Sequence, residues 1–283
     1  MNTSMIRQRA ADFHNRYASS LSRIFLIVGI ISSVPSLFDM GDMSTNVTTA
    51  IQTGTINRAF SFGGLVYVLL SILLIPLEQG YIASTIKVVN NRGDQLEDSD
   101  AIVGITRYLD LISTYLLRIL YIVGFTFVPC IGMLFIAMLL NAMGIPALTG
   151  LVMMLTAVLV VYLGIRNILL TSLTGYVIEE DHLYNVKAIS RSMELMQGHK
   201  WEMVKMILGY VFWVIGIALL SGLAVSTLSL VFAGLFNPLM AQVLSAVCGR
   251  LVGVVFACYT YRPKMYLSIA IFFEELRYAH NRR

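Results

Sequence analysis

The chain has 283 residues, 57% apolar and 13% charged, with 20 Lys and Arg against 16 Asp and Glu and a net charge of +4. A soluble domain carries about 25% charged residues, and here the charges are also gathered into blocks, with none from Ile119 to Ile165 or from Met206 to Gly249. That pattern points away from a soluble enzyme or a nucleic-acid-binding domain and towards a membrane protein whose cytoplasmic loops hold the basic residues.

The first apolar run, about Ile24–Phe38, follows 23 residues that include four arginines. It reads as a retained signal-anchor rather than a cleavable signal. A membrane span needs roughly 20 apolar residues. On that measure a second span covers Phe62–Ile86, with Pro76 inside it. The first long uncharged stretch holds two more, Ile119–Leu140 and Ala147–Ile165, joined by a turn that ends at Pro146. The second holds Met206–Ala233 and Leu239–Tyr261, joined by Gly234 to Pro238 with Asn237 in the turn. Gly, Asn and Pro are the residues that stop helices and make turns. The expected fold is therefore all-α, with six spans.

Orientation follows from the basic residues. The N-terminal segment, the loops after spans two and four, and the tail together hold 18 of the 20. Only Arg58 falls in an outer loop and only Arg250 within a span. Both termini are then cytoplasmic.

Landmarks recur along the chain. Arg23-Ile-Phe-Leu-Ile-Val-Gly29 matches Arg118-Ile-Leu-Tyr-Ile-Val-Gly124 at an offset of 95. The same offset relates Gly80 to Gly175, Tyr81 to Tyr176, and Ile178-Glu179-Glu180 to Phe273-Glu274-Glu275. We read a single membrane domain of three repeats, roughly 1-91, 92-180 and 181-283. Each opens on an amphipathic stretch with apolar residues three or four apart. These stripes are Ile6, Ala10, Phe13, Tyr17 and Leu21; Ile102, Ile105, Leu109, Ile112 and Leu116; and Leu183, Val186, Ile189, Met193 and Met196. Ser99 or Asp98 is the expected cap of the second stretch. Such helices belong at the cytoplasmic membrane surface.

Signals for catalysis are missing. His14, His182, His199 and His280 are scattered, and no HExxH, GxSxG, P-loop or GxGxxG pattern occurs. Cys130, Cys248 and Cys258 lie in apolar segments without metal-ligand spacing, so no metal and no cofactor are expected. Glu179-Glu180-Asp181 reads as solvated charge at a helix end. Gly249 and Gly253 have the GxxxG spacing of closely packed helices.

Polar residues inside the spans are the candidate site. A charge at the membrane centre costs roughly 2.5–3.5 kcal/mol on insertion scales, so Arg250 should face protein or water. Glu78 is the one acidic residue embedded in a span, and its expected partner is Arg250 or, alternatively, Arg166. Gln242 and Asn167 can extend the network. Counted along the two spans, Glu78 and Arg250 differ in depth by roughly 7–8 Å. Arg118, Arg166 and Arg262 lie near cytoplasmic ends, where a long side chain can snorkel to the interface.

Three segments carry a family resemblance: Ser192-Met-Glu-Leu-Met-Gln-Gly-His-Lys-Trp201 with Trp213-Val-Ile-Gly216, Tyr266-Leu-Ser-Ile-Ala-Ile-Phe-Phe-Glu-Glu-Leu276, and Pro76-Leu-Glu-Gln-Gly80. The chain resembles the domain-of-unknown-function-975 family, with Phe273 where that family usually has Tyr. The resemblance implies a bacterial six-span membrane protein, distantly similar to the membrane domain of some glycerophosphodiester phosphodiesterases. It implies no catalytic residues, because the phosphodiesterase domain itself is missing here. The expected function is non-enzymatic: transport or handling of a small or amphipathic molecule in the cell membrane. The alternative is an interaction protein, an immunity, envelope-stress or membrane-homeostasis factor. The expected partners are the bilayer and a lipid, a peptide or another membrane protein, and no nucleic acid.

Overall fold

The computed structural model describes residues 2–37 and 62–282, and among them every regular element is helical. Phe38, at the end of the first expected span, and Arg58 lie outside the described residues, as does the side chain of Gln242.

The chain opens with α1, Thr3–Ser33, capped by Asn2, whose side chain accepts from the Ser4 N–H. Helix α2, Phe62–Leu74, stops at a 3-10 turn, Ile75–Glu78, and α3 continues from Gln79–Val89. The break belongs to Pro76, which has no N–H to give to the helix. Two short 3-10 turns and α4, Val103–Thr106, lead to α5, Tyr108–Ala142. Helix α6, Pro146–Leu170, is followed by α7, Thr174–Asp181, and α8, Asn185–Met196. The last four are α9, Lys200–Leu208, α10, Val211–Ala233, α11, Pro238–Tyr259, and α12, Arg262–Asn281.

Four stretches are long and apolar enough to cross a membrane: Gly64–Val89, Tyr108–Ala142, Pro146–Asp181 and Val211–Ala233. A fifth is the pair Val243–Tyr259 and Arg262–Asn281, bent by 44°. The expected first span does not reach that measure among the described residues. Its described helical part runs from Ile24 to Ser33 in α1 and on through a 3-10 turn at Val34–Leu37, a rise of about 23 Å against the roughly 30 Å hydrocarbon core. The turns between the paired helices fall where proline and glycine put them. Gly144 takes a positive φ of 74° between α5 and α6, and Pro146 and Pro238 each start a helix.

Contacts divide the described chain into two compact units. The first joins residues 1–108 to 205–275, and the second joins 109–204 to 276–283. In the first unit α1 packs on α3 and α11, and α10 packs on α11. A Cβ on Gly249 would run into Val225, and one on Gly253 would meet Ser221 at 3.1 Å, so α10 and α11 approach closely at the GxxxG face. In the second unit α8 lies against α6 and α7.

Three long helices break, at Ile75–Glu78, at Thr171 to Leu173, and at Thr260 with Tyr261. Each break is followed by a buried stretch: Gln79 to Ile86, Thr174 to Ile178, and Leu267 to Phe273. The apolar spans before the breaks are largely unburied, and α10 buries no residue at all.

Two expectations about the second amphipathic stretch change. It is not one helix but a 3-10 turn, Asp98–Ile102, then α4, then the start of α5. Its cap is Glu97, which forms a reciprocal capping box with Asp100, rather than Ser99 or Asp98. Ile102, Ile105, Leu109 and Leu116 are exposed, and the buried face is Ala101, Gly104, Leu111 and Tyr115. The pattern-based stripe points outwards because burial follows the contacts of α3 and the Asp98–Ile102 turn, where Gly80 meets the Ala101 backbone.

Candidate functional site

The residues expected to form an intramembrane site fall in both units. In the first, Glu78 ends the 3-10 turn and is exposed, while Arg250 lies midway along α11 and is half-buried. In the second, Arg166 is exposed on α6. Its neighbour Asn167 is buried, and its Nδ2 donates to Thr126 Oγ1 at 3.3 Å. That bond holds α5 to α6 beside Gly164, whose position would bring a Cβ to 3.9 Å from Thr126. Asn167 therefore works in a helix-pairing contact of its own unit.

The interior of the first unit holds a polar cluster at the α3 and α11–α12 breaks. The rings of Phe25, Tyr81 and Tyr266 meet with centroids 4.5–5.6 Å apart. Arg262 donates to the Tyr81 hydroxyl at 3.4 Å, and Cys258 Sγ donates to the Phe25 carbonyl at 3.2 Å. Ser84 and Thr85 turn their hydroxyls onto the Tyr81 and Ile82 carbonyls, which satisfies two otherwise costly buried groups. Lys87 reaches the nearly buried Asp100 at 2.6 Å. On α1, His14 is 6% exposed, with Nδ1 buried and unpartnered. Burial, aided by the charge of Lys264, holds its imidazole below the ordinary value of 6.5.

Three arginines were expected to snorkel. Arg262 instead turns in to Tyr81, and Arg118 donates its Nε–H to Thr171 Oγ1 at 3.1 Å in the second unit. Only Arg166 is exposed. The acidic run is likewise not simply solvated. Arg277 bridges Glu180 at 2.8 Å and Asp181 at 3.1 Å, and Arg191 approaches Asp181 at 4.0 Å. Among the described residues no cluster of His, Cys, Asp and Glu has a metal-binding arrangement.

The second unit carries a groove of about 680 Å³ between α5 and α8. One wall is Leu120, Gly124 and Val128, spaced four apart along α5, and the other is Val186, Ile189 and Met193 of α8. That volume is within the roughly 300–1,000 Å³ of small-molecule sites, and the lining is almost wholly apolar. Ser190 and Met193 also line an adjoining hollow of about 460 Å³ with Lys187, Arg191, Glu194 and Gln197. Arg191 is held by Glu194 at 2.9 Å as well as by Asp181. Lys187 is exposed and has no carboxylate partner among the described residues. The arrangement offers apolar contact and ionic contact side by side.

Sequence reading had one side of this groove, the Val186, Ile189 and Met193 stripe, but not the other. Leu120, Gly124 and Val128 lie in an apolar stretch whose polar residue, Thr126, marks the face turned to Asn167 instead.

No family model, curated protein or solved structure matches the chain.

Proposed function

We propose that this chain is a six-span, multi-pass protein of a bacterial cell membrane, with cytoplasmic termini and three two-span repeats, and that it handles a small or amphipathic molecule without catalysing a reaction on it. The observation that carries the functional reading is the apolar groove of about 680 Å³ opening beside a charged hollow. An amphiphile has both kinds of surface, and a site for it needs both within one molecule's length. Four or five span-like helices, the separation of charge along the chain and the three breaks support the architecture. The resemblance to the domain-of-unknown-function-975 family supports the bacterial setting.

The test is native mass spectrometry of the full chain purified from its membrane in mild detergent. A bound mass in the range of a lipid or similar amphiphile, surviving detergent exchange, is the expected result. A protein or peptide partner in place of the amphiphile would support the second reading, an interaction protein. The observation favouring that one is the bare α10, with Phe212 85% and Leu230 79% exposed. Bare, unbound chain would contradict both.

A further inference from the structure

We propose that the groove between α5 and α8 holds one acyl chain of an anionic phospholipid from the cytoplasmic leaflet, with Lys187 at the lipid phosphate. The inference rests on the amphiphile reading above and goes further by naming the ligand class, the leaflet and the residues. The groove follows α5 from Leu117 to Pro129, about 18 Å of helix rise. Half of a roughly 30 Å hydrocarbon core is about 15 Å, the depth of one leaflet. The third span enters from the cytoplasm, so this stretch lies in the cytoplasmic half. Gly124 sits in the α5 wall, and a Cβ there would meet nothing within 4 Å, so the wall is open at the height where a chain would pass. α8 carries the apolar Val186, Ile189 and Met193 into the groove and the polar Lys187, Arg191 and Glu194 into the hollow beside it. Within that hollow Arg191 and Glu194 neutralise one another, and Lys187 is the uncompensated charge. An apolar slot one leaflet deep, flanked by a hollow that holds a cation without a carboxylate partner, fits an anionic lipid better than a zwitterionic one. A basic residue near an anionic lipid headgroup contributes on the order of fivefold in affinity.

The experiment is native mass spectrometry of the full chain, stripped of lipid and offered phosphatidylglycerol and phosphatidylcholine of matched acyl length. The wild type is expected to retain one phosphatidylglycerol with about fivefold preference. Lys187→Glu, a change at an exposed position, should erase the preference. Gly124→Phe fills the groove and should abolish retention of either lipid. Val186→Asp, at a position 66% exposed, should do the same without disturbing packing, and so covers the case in which Gly124→Phe does not fold. Equal retention of the two lipids by wild type would overturn the headgroup assignment. Undiminished retention by Val186→Asp and by folded Gly124→Phe would overturn the groove while leaving the amphiphile reading in place. A wild type that binds neither lipid yet co-purifies with another amphiphile would overturn this inference alone. A dimer mass lost in Val186→Asp, with no lipid bound, would make a second copy of the chain the occupant and overturn it as well.

Discussion

Gly80 shows what a single missing Cβ does. A Cβ there would lie 2.5 Å from the Ala101 carbonyl oxygen, so α3 can lie against the Asp98–Ile102 turn only if residue 80 is glycine. Forcing a methyl into such a contact costs about 1–3 kcal/mol. Gly80→Ala should lower the melting temperature in detergent by several degrees, whereas Gly124→Ala, into open space, should leave it unchanged or raise it. Equal effects of the two would mean that α3 does not rest on that turn. His14 makes a second prediction at this scale. Its imidazole is held below 6.5 by burial and by Lys264, so the folded chain binds that proton less readily than the unfolded chain. The stability it contributes is fully present above 6.5 and is lost as the pH falls from there towards the lower folded value. Melting curves between pH 7.5 and pH 5 should show that loss, and His14→Leu should flatten it; an unchanged slope in the variant would remove His14 as the cause.

At the scale of elements, much was legible in the sequence. The turns at Gly144–Pro146 and Gly234–Pro238 and the break at Pro76 appear where those residues put them, because proline and glycine act on the backbone locally. The close approach at Gly249 and Gly253 was also legible, since small residues four apart make a flat helix face. The inward turn of Arg262 was not. Its partner Tyr81 is 181 residues away, and nothing local distinguishes it from an arginine that snorkels. The Arg277 bridge to Glu180 and Asp181 was hidden for the same reason, and the acidic run looked solvated without it. Glu78 and Arg250, on two elements of the first unit, remain the proposed intramembrane pair. Charge exchange tests them: if they pair, the double variant Glu78→Arg with Arg250→Glu should be better folded by gel filtration than either single variant. A double variant no better than the singles would dissolve the pair.

For the whole molecule, the described helices make two units whose long apolar helices are mostly unburied, while the segments that follow the three breaks contribute buried stretches. In water such surfaces would aggregate, since contiguous exposed apolar patches are confined to a few hundred Å² on soluble monomers. In a bilayer they become lipid-facing surface, and on the proposed topology the segments after the breaks are the cytoplasmic anchors of the repeats. Six-span topology, three repeats and cytoplasmic termini make one account, and all of it requires the two described inter-helix turns to lie on the outer side. The most direct measurement is labelling of single cysteines, in intact cells, by a membrane-impermeant thiol reagent, on a background lacking Cys130, Cys248 and Cys258. Gly144→Cys and Asn237→Cys should label in intact cells, and Lys187→Cys only after the cells are opened. Labelling of Gly144→Cys or Asn237→Cys only in opened cells, or of Lys187→Cys in intact ones, would contradict the topology.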